Sequence, residues 1–246
     1  MKTCIITGAS RGIGAAAARL LYREYEYLAL ISRNKNRELE NLTLDWGNVP
    51  AGQPPCELGL FSGDVSDFAF VRDTVAEVIA HTGQIDLLVN NAGISHVGLF
   101  TDMTPEDWAR VMNINLTSVY NTCHAVVPHM VHEKSGRIIN ISSVWGLTGA
   151  SCEVAYSASK GGMNALTQAL AKELAPSGIA VNAIAFGAVD TEMNGHLSPE
   201  EKNALCDEIP AGRMATPEEA AECILKVSQM PVYMTGNILK TDGGWI

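Results

Sequence analysis

A doubly wound α/β fold, with helices on both faces of a parallel sheet in one domain, is what this sequence predicts. Three observations predict it. Short β-rich apolar runs alternate with helical stretches from one end of the chain to the other. That rhythm means βαβ units and strands buried on both faces. A glycine-rich turn joins the first run to an alanine-rich helix, the place where such folds receive a dinucleotide. Nothing repeats at a solenoid period and no linker divides the 246 residues, so 1–246 reads as a single domain.

"CIIT" (4–7) opens the sheet and "IGAAAARLLYREY" supplies the first helix. "LALIS" (28–32) is the second strand. The Pro/Gly-rich piece "GNVPAGQPP" (47–55) predicts a surface loop between a second helix and the third strand, "LGLFSGD" (58–64). "FVRDTVAEVIAHTG" is helical, and "DLLVNNAG" (86–93) is the fourth strand with its turn. "TPED" (104–107) starts a long helix, with Thr104 as cap and Pro105 in the first position. "SGRI" stops it and leads into "GRIINISS" (136–143). The helix around "SKGGMNALTQALAKELAPSG" and the strand "IAVNAIAFG" (179–187) follow, and "GNILKTDGG" (236–244) closes the sheet. Between these last two strands, 188–217 breaks the rhythm with two short polar helical pieces. A long excursion at the C-terminal edge of a parallel sheet is where a substrate lid would sit.

Hydrophobic residues make up 47% of the chain, enough for a full core. Seventeen basic against twenty-seven acidic residues leave a net charge of −10, which argues against nucleic acid or an anionic membrane as partner. The six cysteines are scattered with no C-x-x-C, the usage of a reduced intracellular protein. Cys152 is either a reactive thiol near the candidate site or a packing residue. The apolar run before "TG" is too short for a signal peptide and no run approaches a membrane span, so a cytoplasmic location is expected. "HMVH" (129–132) offers His129 and His132 without a third ligand, and no metal site is expected. His96 is a candidate for the pocket mouth.

In "TGASRGIG" (7–14), Gly8, Gly12 and Gly14 are spaced G-x-x-x-G-x-G. Small residues let the turn pass close under a pyrophosphate, and the helix N-terminus offers N–H groups and the positive end of its dipole. The second strand ends in Ser32 and Arg33 where an NAD-preferring fold usually carries an acid. Arg33, with Arg11 from the glycine turn, can grip a 2′-phosphate, so NADP(H) is the expected cofactor. Asp64 ends the third strand and can accept from an adenine amino group. "NNAG" (90–93) flanks the cofactor from the fourth.

Tyr156 and Lys160 stand four apart in "VAYSASKGGMNAL", on one face of a helix and beside a Gly-Gly that weakens it. A neighbouring ammonium is expected to lower the phenol's pKa and bring proton transfer within range. Ser143, thirteen residues earlier at a strand end, can hydrogen-bond a carbonyl oxygen that gains charge. Asn115 in "NINLTSVY" is a candidate to hold a water in a relay to Lys160.

With "TGASRGIG", "NNAG", Asn115, Ser143, "YSASK" and "DGG" in order, the chain resembles the short-chain dehydrogenase/reductase family from Thr3 to the C-terminus. The resemblance implies a Rossmann sheet and a catalytic tetrad of Asn115, Ser143, Tyr156 and Lys160. It implies cofactor contacts from Gly8, Ser10, Arg11, Gly12, Ile13, Gly14 and Arg33, and from Asp64, Val65, Asn91, Ala92 and Gly93. Tyr156, Lys160, Gly187, Val189 and Thr191 complete that set. Phe186 stands where the family usually has Pro, which puts the geometry of that loop in question. The resemblance also implies a homotetramer.

Within the family the chain is most like bacterial 3-oxoacyl-(acyl-carrier-protein) reductases. Lys134 is one basic residue for an acidic carrier, but Ser177 stands where another is expected, and the net charge weakens the carrier reading. A second resemblance is to the reductase that completes modification of elongation factor P at a 5-aminopentanone group. It rests on "GASCEVAYSASKGGMNALTQALAKELAPSGI", in which Glu153 can face a substrate ammonium or be a loop acid. Another alcohol or sugar dehydrogenase, and a non-catalytic nucleotide-binding scaffold, are the remaining alternatives.

Overall fold

The computed structural model describes residues 1–33, 56–195 and 197–246. The strands are β1 (Thr3–Thr7), β2 (Tyr27–Ser32), β3 (Glu57–Ser62), β4 (Leu87–Asn90), β5 (Gly136–Ser143), β6 (Ile179–Phe186) and β7 (Ile238–Thr241). They form one seven-stranded sheet in the order β3-β2-β1-β4-β5-β6-β7. Every pairing is parallel. The order reverses direction between β1 and β4, the switch point at which doubly wound sheets open a crevice. The longest pairing, β5 with β6, runs from Gly136↔Ile179 to Ser143↔Phe186 and carries Ser143 to the C-terminal edge.

Successive side chains on a strand point to opposite faces, and the core divides accordingly. Ile6, Leu28, Leu30 and Ile184 pack with Ala17, Ala18 and Leu21 of α1 (Gly12–Leu21) and with Ala220 and Ile224 of α8 (Pro217–Gln229). Ile5, Ala29, Ile138 and Val181 pack on the other face. They meet Val71 and Val75 of α2 (Phe68–Thr82), Val126 and Met130 of α4 (Ser118–Glu133), and, after the short α5 (Trp145–Thr148), Met163 and Ala171 of α6 (Val154–Leu174). The helix expected from Thr104 onward is two helices, α3 (Pro105–Met112) and α4, joined by a π-helical turn over Asn113–Thr117. Thr104 caps α3 by accepting from the Asp107 N–H, and α4 ends at Lys134 in the left-handed region.

A buried polar ladder crosses the sheet between these helices. Asn90 donates to Asn140 at 2.8 Å and accepts from Thr122 at 2.7 Å, while Asn140 donates to Thr167 at 2.8 Å. Each amide is satisfied, so the ladder fixes the relation of β4 and β5 to α4 and α6. The excursion after β6 contains a 3₁₀ turn over Glu192–Asn194 and α7 (Pro199–Glu208), the two short pieces expected between 188 and 217. The expected loop at 47–55 lies outside the described residues. The six cysteines are all free. Among the described residues no helix is long and apolar enough to cross a membrane, and no cluster of His, Cys, Asp and Glu is arranged to hold a metal ion.

Candidate active site

The C-terminal ends of the strands border a cleft of about 650 Å³. Its floor is the glycine turn. Gly8 and Gly12 have φ of +65° and +53°, which favour glycine. A Cβ on Gly14 would stand 2.2 Å from the Gly8 carbonyl oxygen, so α1 can start this close to β1 only with glycine there. Asn91 ties the fourth strand to the same turn, donating from Nδ2 to the carbonyls of Thr7 at 3.1 Å and Gly8 at 3.0 Å. The Thr7 hydroxyl accepts from the N–H groups of Asn91 and Ala92, both at 3.0 Å.

Helix α1 begins at this turn with no side chain capping it and no acidic residue in its first turn. Helices α2, α3, α7 and α8 are all capped by a side chain, Asp67, Thr104, Ser198 and Thr216 in turn. The N–H groups that α1 leaves open face the cleft floor, where a pyrophosphate would take the place of a cap. Ser32 and Arg33 at the tip of β2 line the same cleft, as do Asp64 and Val65 after β3. The Asp64 carboxylate accepts from the N–H and hydroxyl of Ser66, and Asp67 rather than Asp64 caps α2. Glycines a Cβ would fill, an open helix start and a polar strand tip together fit a dinucleotide.

At the other end of the cleft lie Ser143, Tyr156 and Lys160. Helix α6 brings Tyr156 and Lys160 onto one face, with the Lys160 ammonium 5.6 Å from the centre of the phenol ring. The adjoining glycines admit neighbours. A Cβ on Gly162 would meet Leu116 at 2.8 Å, and a Cβ on Gly146 would meet the Lys160 backbone at 2.7 Å. Lys160 is buried and donates to the Ile141 carbonyl at 2.7 Å. Ser143 is hydrogen-bonded to Tyr156, and its Oγ also accepts from the Trp145 N–H at 3.2 Å.

The electrostatics correct one expectation. Burial pushes the Tyr156 phenol up to about 12, the Ser143 hydrogen bond opposes that, and the charge of Glu153 adds to it. Burial brings Lys160 down to about 8. The net shift of the phenol is therefore upward in this site: desolvation outweighs what the neighbouring ammonium, hydrogen-bonded to the Ile141 carbonyl, contributes. At neutral pH the phenol is protonated.

Asn115 is fully buried in the π-helical turn. Its Oδ1 accepts from the Ile94 N–H at 2.8 Å, and its Nδ2 donates to the Ile94 carbonyl at 2.9 Å and to Ser159 Oγ at 3.0 Å. Those bonds leave at most one lone pair of Oδ1 for a relay water. What the side chain does here is clamp the strand-β4 loop to α6, and the widened turn lets it reach both.

Of the other expected site residues, Gly8, Ser10, Arg11, Gly12, Ile13 and Arg33 line the cleft, as do Asn91, Ala92, Gly93, Gly187, Val189 and Thr191. Gly14 lies behind the turn, against Gly8 and Asn91. Arg11 does not stand free beside Arg33: its guanidinium is ion-paired with Glu192 of the excursion. His96 does not line the cleft, and its Nδ1 is 3.7 Å from Asp107. Phe186 lies in the strand and not in the loop that follows. It is the last residue of β6, paired with Ser143 and Thr241, and its carbonyl accepts from Val144 at 2.9 Å.

Sequence reasoning missed the aromatic wall and part of the acidic rim. Trp145 and Trp245 line the cleft with ring centroids 4.7 Å apart at 60°. Glu192, Glu201 and Glu208 line it from the excursion. Nothing local in "DGGWI" says that the chain's last turn meets the residue after Val144.

Fold and site define a class, the dinucleotide-dependent oxidoreductases built on a doubly wound sheet. Comparison with known proteins agrees: the short chain dehydrogenase family model matches residues 2–202. The chain belongs to that family. It is 40% identical to the uncharacterized oxidoreductase YmfI of Bacillus subtilis, over 99% of this chain and 98% of that one. It is 37% identical to the 3-oxoacyl-[acyl-carrier-protein] reductase FabG of Thermotoga maritima, over 100% and 98% of the two chains. It is also 37% identical to an acetoacetyl-CoA reductase of Rhizobium meliloti, over 99% and 98%.

Proposed function

We propose that this protein reduces a ketone to a secondary alcohol with NADPH, in the cytoplasm and as a homotetramer. The observation that carries the reading is a protonated phenol, a serine hydroxyl and a buried lysine gathered at one end of a cleft whose other end fits a dinucleotide. The bound nicotinamide would supply a hydride to the carbonyl carbon. Ser143 donates to the carbonyl oxygen and stabilises its growing charge. Tyr156 then gives that oxygen its proton, and the resulting phenolate is stabilised by the adjacent Lys160 ammonium until solvent returns the proton. Arg33 holds the 2′-phosphate, and the preference for NADPH over NADH follows from its charge. Residues 188–217 act as the lid, held across the cleft by the Arg11–Glu192 pair.

Two substrate classes are in view. The FabG relatives support a 3-oxoacyl thioester. Glu153, which lines the cleft three residues before Tyr156, favours the second reading, the 5-aminopentanone group on elongation factor P. The test is NADPH consumption by the purified protein against 3-oxoacyl thioesters, elongation factor P carrying the 5-aminopentanone, and model ketones. Turnover with any of them supports the reductase reading. NADPH binding without turnover of any would leave the scaffold reading in its place.

A further inference from the structure

A cation at the dinucleotide end of the cleft is already engaged by the protein itself. Among the described residues, the Lys and Arg side chains lining the cleft are Arg11, Arg33 and Lys160. Lys160 stands at the other end, where it donates to the Ile141 carbonyl. Arg11 and Arg33 are left to meet phosphate, and the Arg11 guanidinium is ion-paired with the Glu192 carboxylate.

The backbone holds Glu192 over the glycine turn. Val189 and Ala215 form a parallel bridge, in which the Asp190 N–H donates to Ala215 and the Ala215 N–H to Ala188, both at 2.9 Å. Asn194 donates from Nδ2 to the Val189 carbonyl at 2.8 Å. Between these anchors Thr191 lies so close to the turn that a Cβ on Gly12 would stand 3.3 Å from its Cγ2. A backbone anchored this way keeps the next side chain, Glu192, within reach of Arg11 when a ligand enters. NADPH and NADH both bring a pyrophosphate to the start of α1, but only NADPH brings a 2′-phosphate as well. A guanidinium donating to a carboxylate has fewer donors to offer a phosphate, and the carboxylate repels the incoming anion. The Arg11 and Glu192 side chains are 60% and 61% exposed, so the pair is weak and a phosphate dianion can displace it.

We propose that Glu192 competes with the 2′-phosphate of the cofactor for Arg11 and so limits the preference for NADPH over NADH. The inference rests on the NADP(H) reading of Arg11 and Arg33, and adds to it a residue of the excursion that acts against the phosphate. The 2′-phosphate, on taking Arg11, also dissolves the ion pair that ties the excursion to the glycine turn. A carboxylate that merely positioned Arg11 for the phosphate would have the opposite effect, so the sign of a substitution at 192 separates the two roles.

The test is the Kd of NADPH and of NADH, measured by fluorescence titration of the purified protein without substrate. Glu192→Gln should bind NADPH about threefold more tightly than the wild type, while Kd for NADH stays within about 1.5-fold. In an Arg11→Ala background, where there is no guanidinium to compete for, the same substitution should move Kd for NADPH by less than about 1.5-fold. Unchanged or weaker NADPH binding in Glu192→Gln overturns the proposal, as does an equal gain for NADH. A gain that persists in the Arg11→Ala background also overturns it, since the carboxylate would then act on the phosphate directly. Each of these results leaves the NADP(H) reading standing if the wild type binds NADPH more tightly than NADH. Equal affinity of the wild type for the two dinucleotides overturns that reading and this inference with it.

Discussion

The two ends of the same sheet are built on opposite principles. At the N-terminal ends of the strands, polar groups are matched to one another. Asp86 accepts from the Thr3 N–H at 2.7 Å, Glu26 from the Lys2 N–H at 2.6 Å, and Arg137 caps the end of α8 through the carbonyls of Val227 and Met230. At the C-terminal ends, α1 and α6 start without side-chain caps, a lysine is buried without a carboxylate, and a phenol is held far above its ordinary pKa. One end spends its hydrogen bonds on holding the fold; the other keeps them open for a ligand. Stability alone would have closed both ends, so the open one is where chemistry belongs.

If that contrast is real, substitutions at the open end should cost function and those at the closed end only stability. The largest effect is expected for Tyr156→Phe. It should lower kcat by about 10³-fold while dinucleotide affinity, measured by fluorescence titration, stays within about threefold. Gly14→Ala comes next, because its Cβ would collide with backbone at 2.2 Å. It should destabilise the protein by about 2–3 kcal/mol in urea denaturation and weaken dinucleotide binding. Gly149→Ala, where the added Cβ meets nothing within 4 Å despite a φ of +75°, should cost about 1 kcal/mol.

Two effects of about tenfold follow. Arg33→Ala should raise KM for NADPH about tenfold while that for NADH moves little, since only the former has a 2′-phosphate to lose. The pH profile of reduction should show an alkaline limb near 8, where Lys160 loses its proton, and not one from Tyr156, which stays protonated until about 12. The smallest effect on activity belongs to the closed end. Arg137→Ala should cost about 1–2 kcal/mol of stability and leave kcat/KM within about twofold. A large loss of turnover there would erase the distinction between the two ends.

The sheet was legible because its inner strands β1, β2, β4, β5 and β6 are largely buried on both faces and so read as apolar runs; β5, expected at 136–143, spans Gly136–Ser143. The glycine turn, "NNAG" and the Tyr156–Lys160 pair were legible because each needs particular residue types at fixed local spacing. The π-helical turn was not, since "NINLT" has no breaker and reads as uninterrupted helix. The pairing of Arg11 with Glu192 joins residues 181 apart, and the meeting of Trp145 with Trp245 depends on how β7 ends. The phenol's pKa was misread for a physical reason: spacing shows that an ammonium is near but not how deeply both groups are buried, nor that the ammonium donates to the Ile141 carbonyl.

Burial outweighs the neighbouring lysine and keeps the Tyr156 phenol protonated. The direct measurement is a pH titration of Tyr156 by NMR in protein labelled with ¹³Cζ-tyrosine, assigned by its absence in Tyr156→Phe. A midpoint near 12 is predicted. A midpoint below the ordinary tyrosine value of 10.0 would show that the ammonium wins, and would contradict the account.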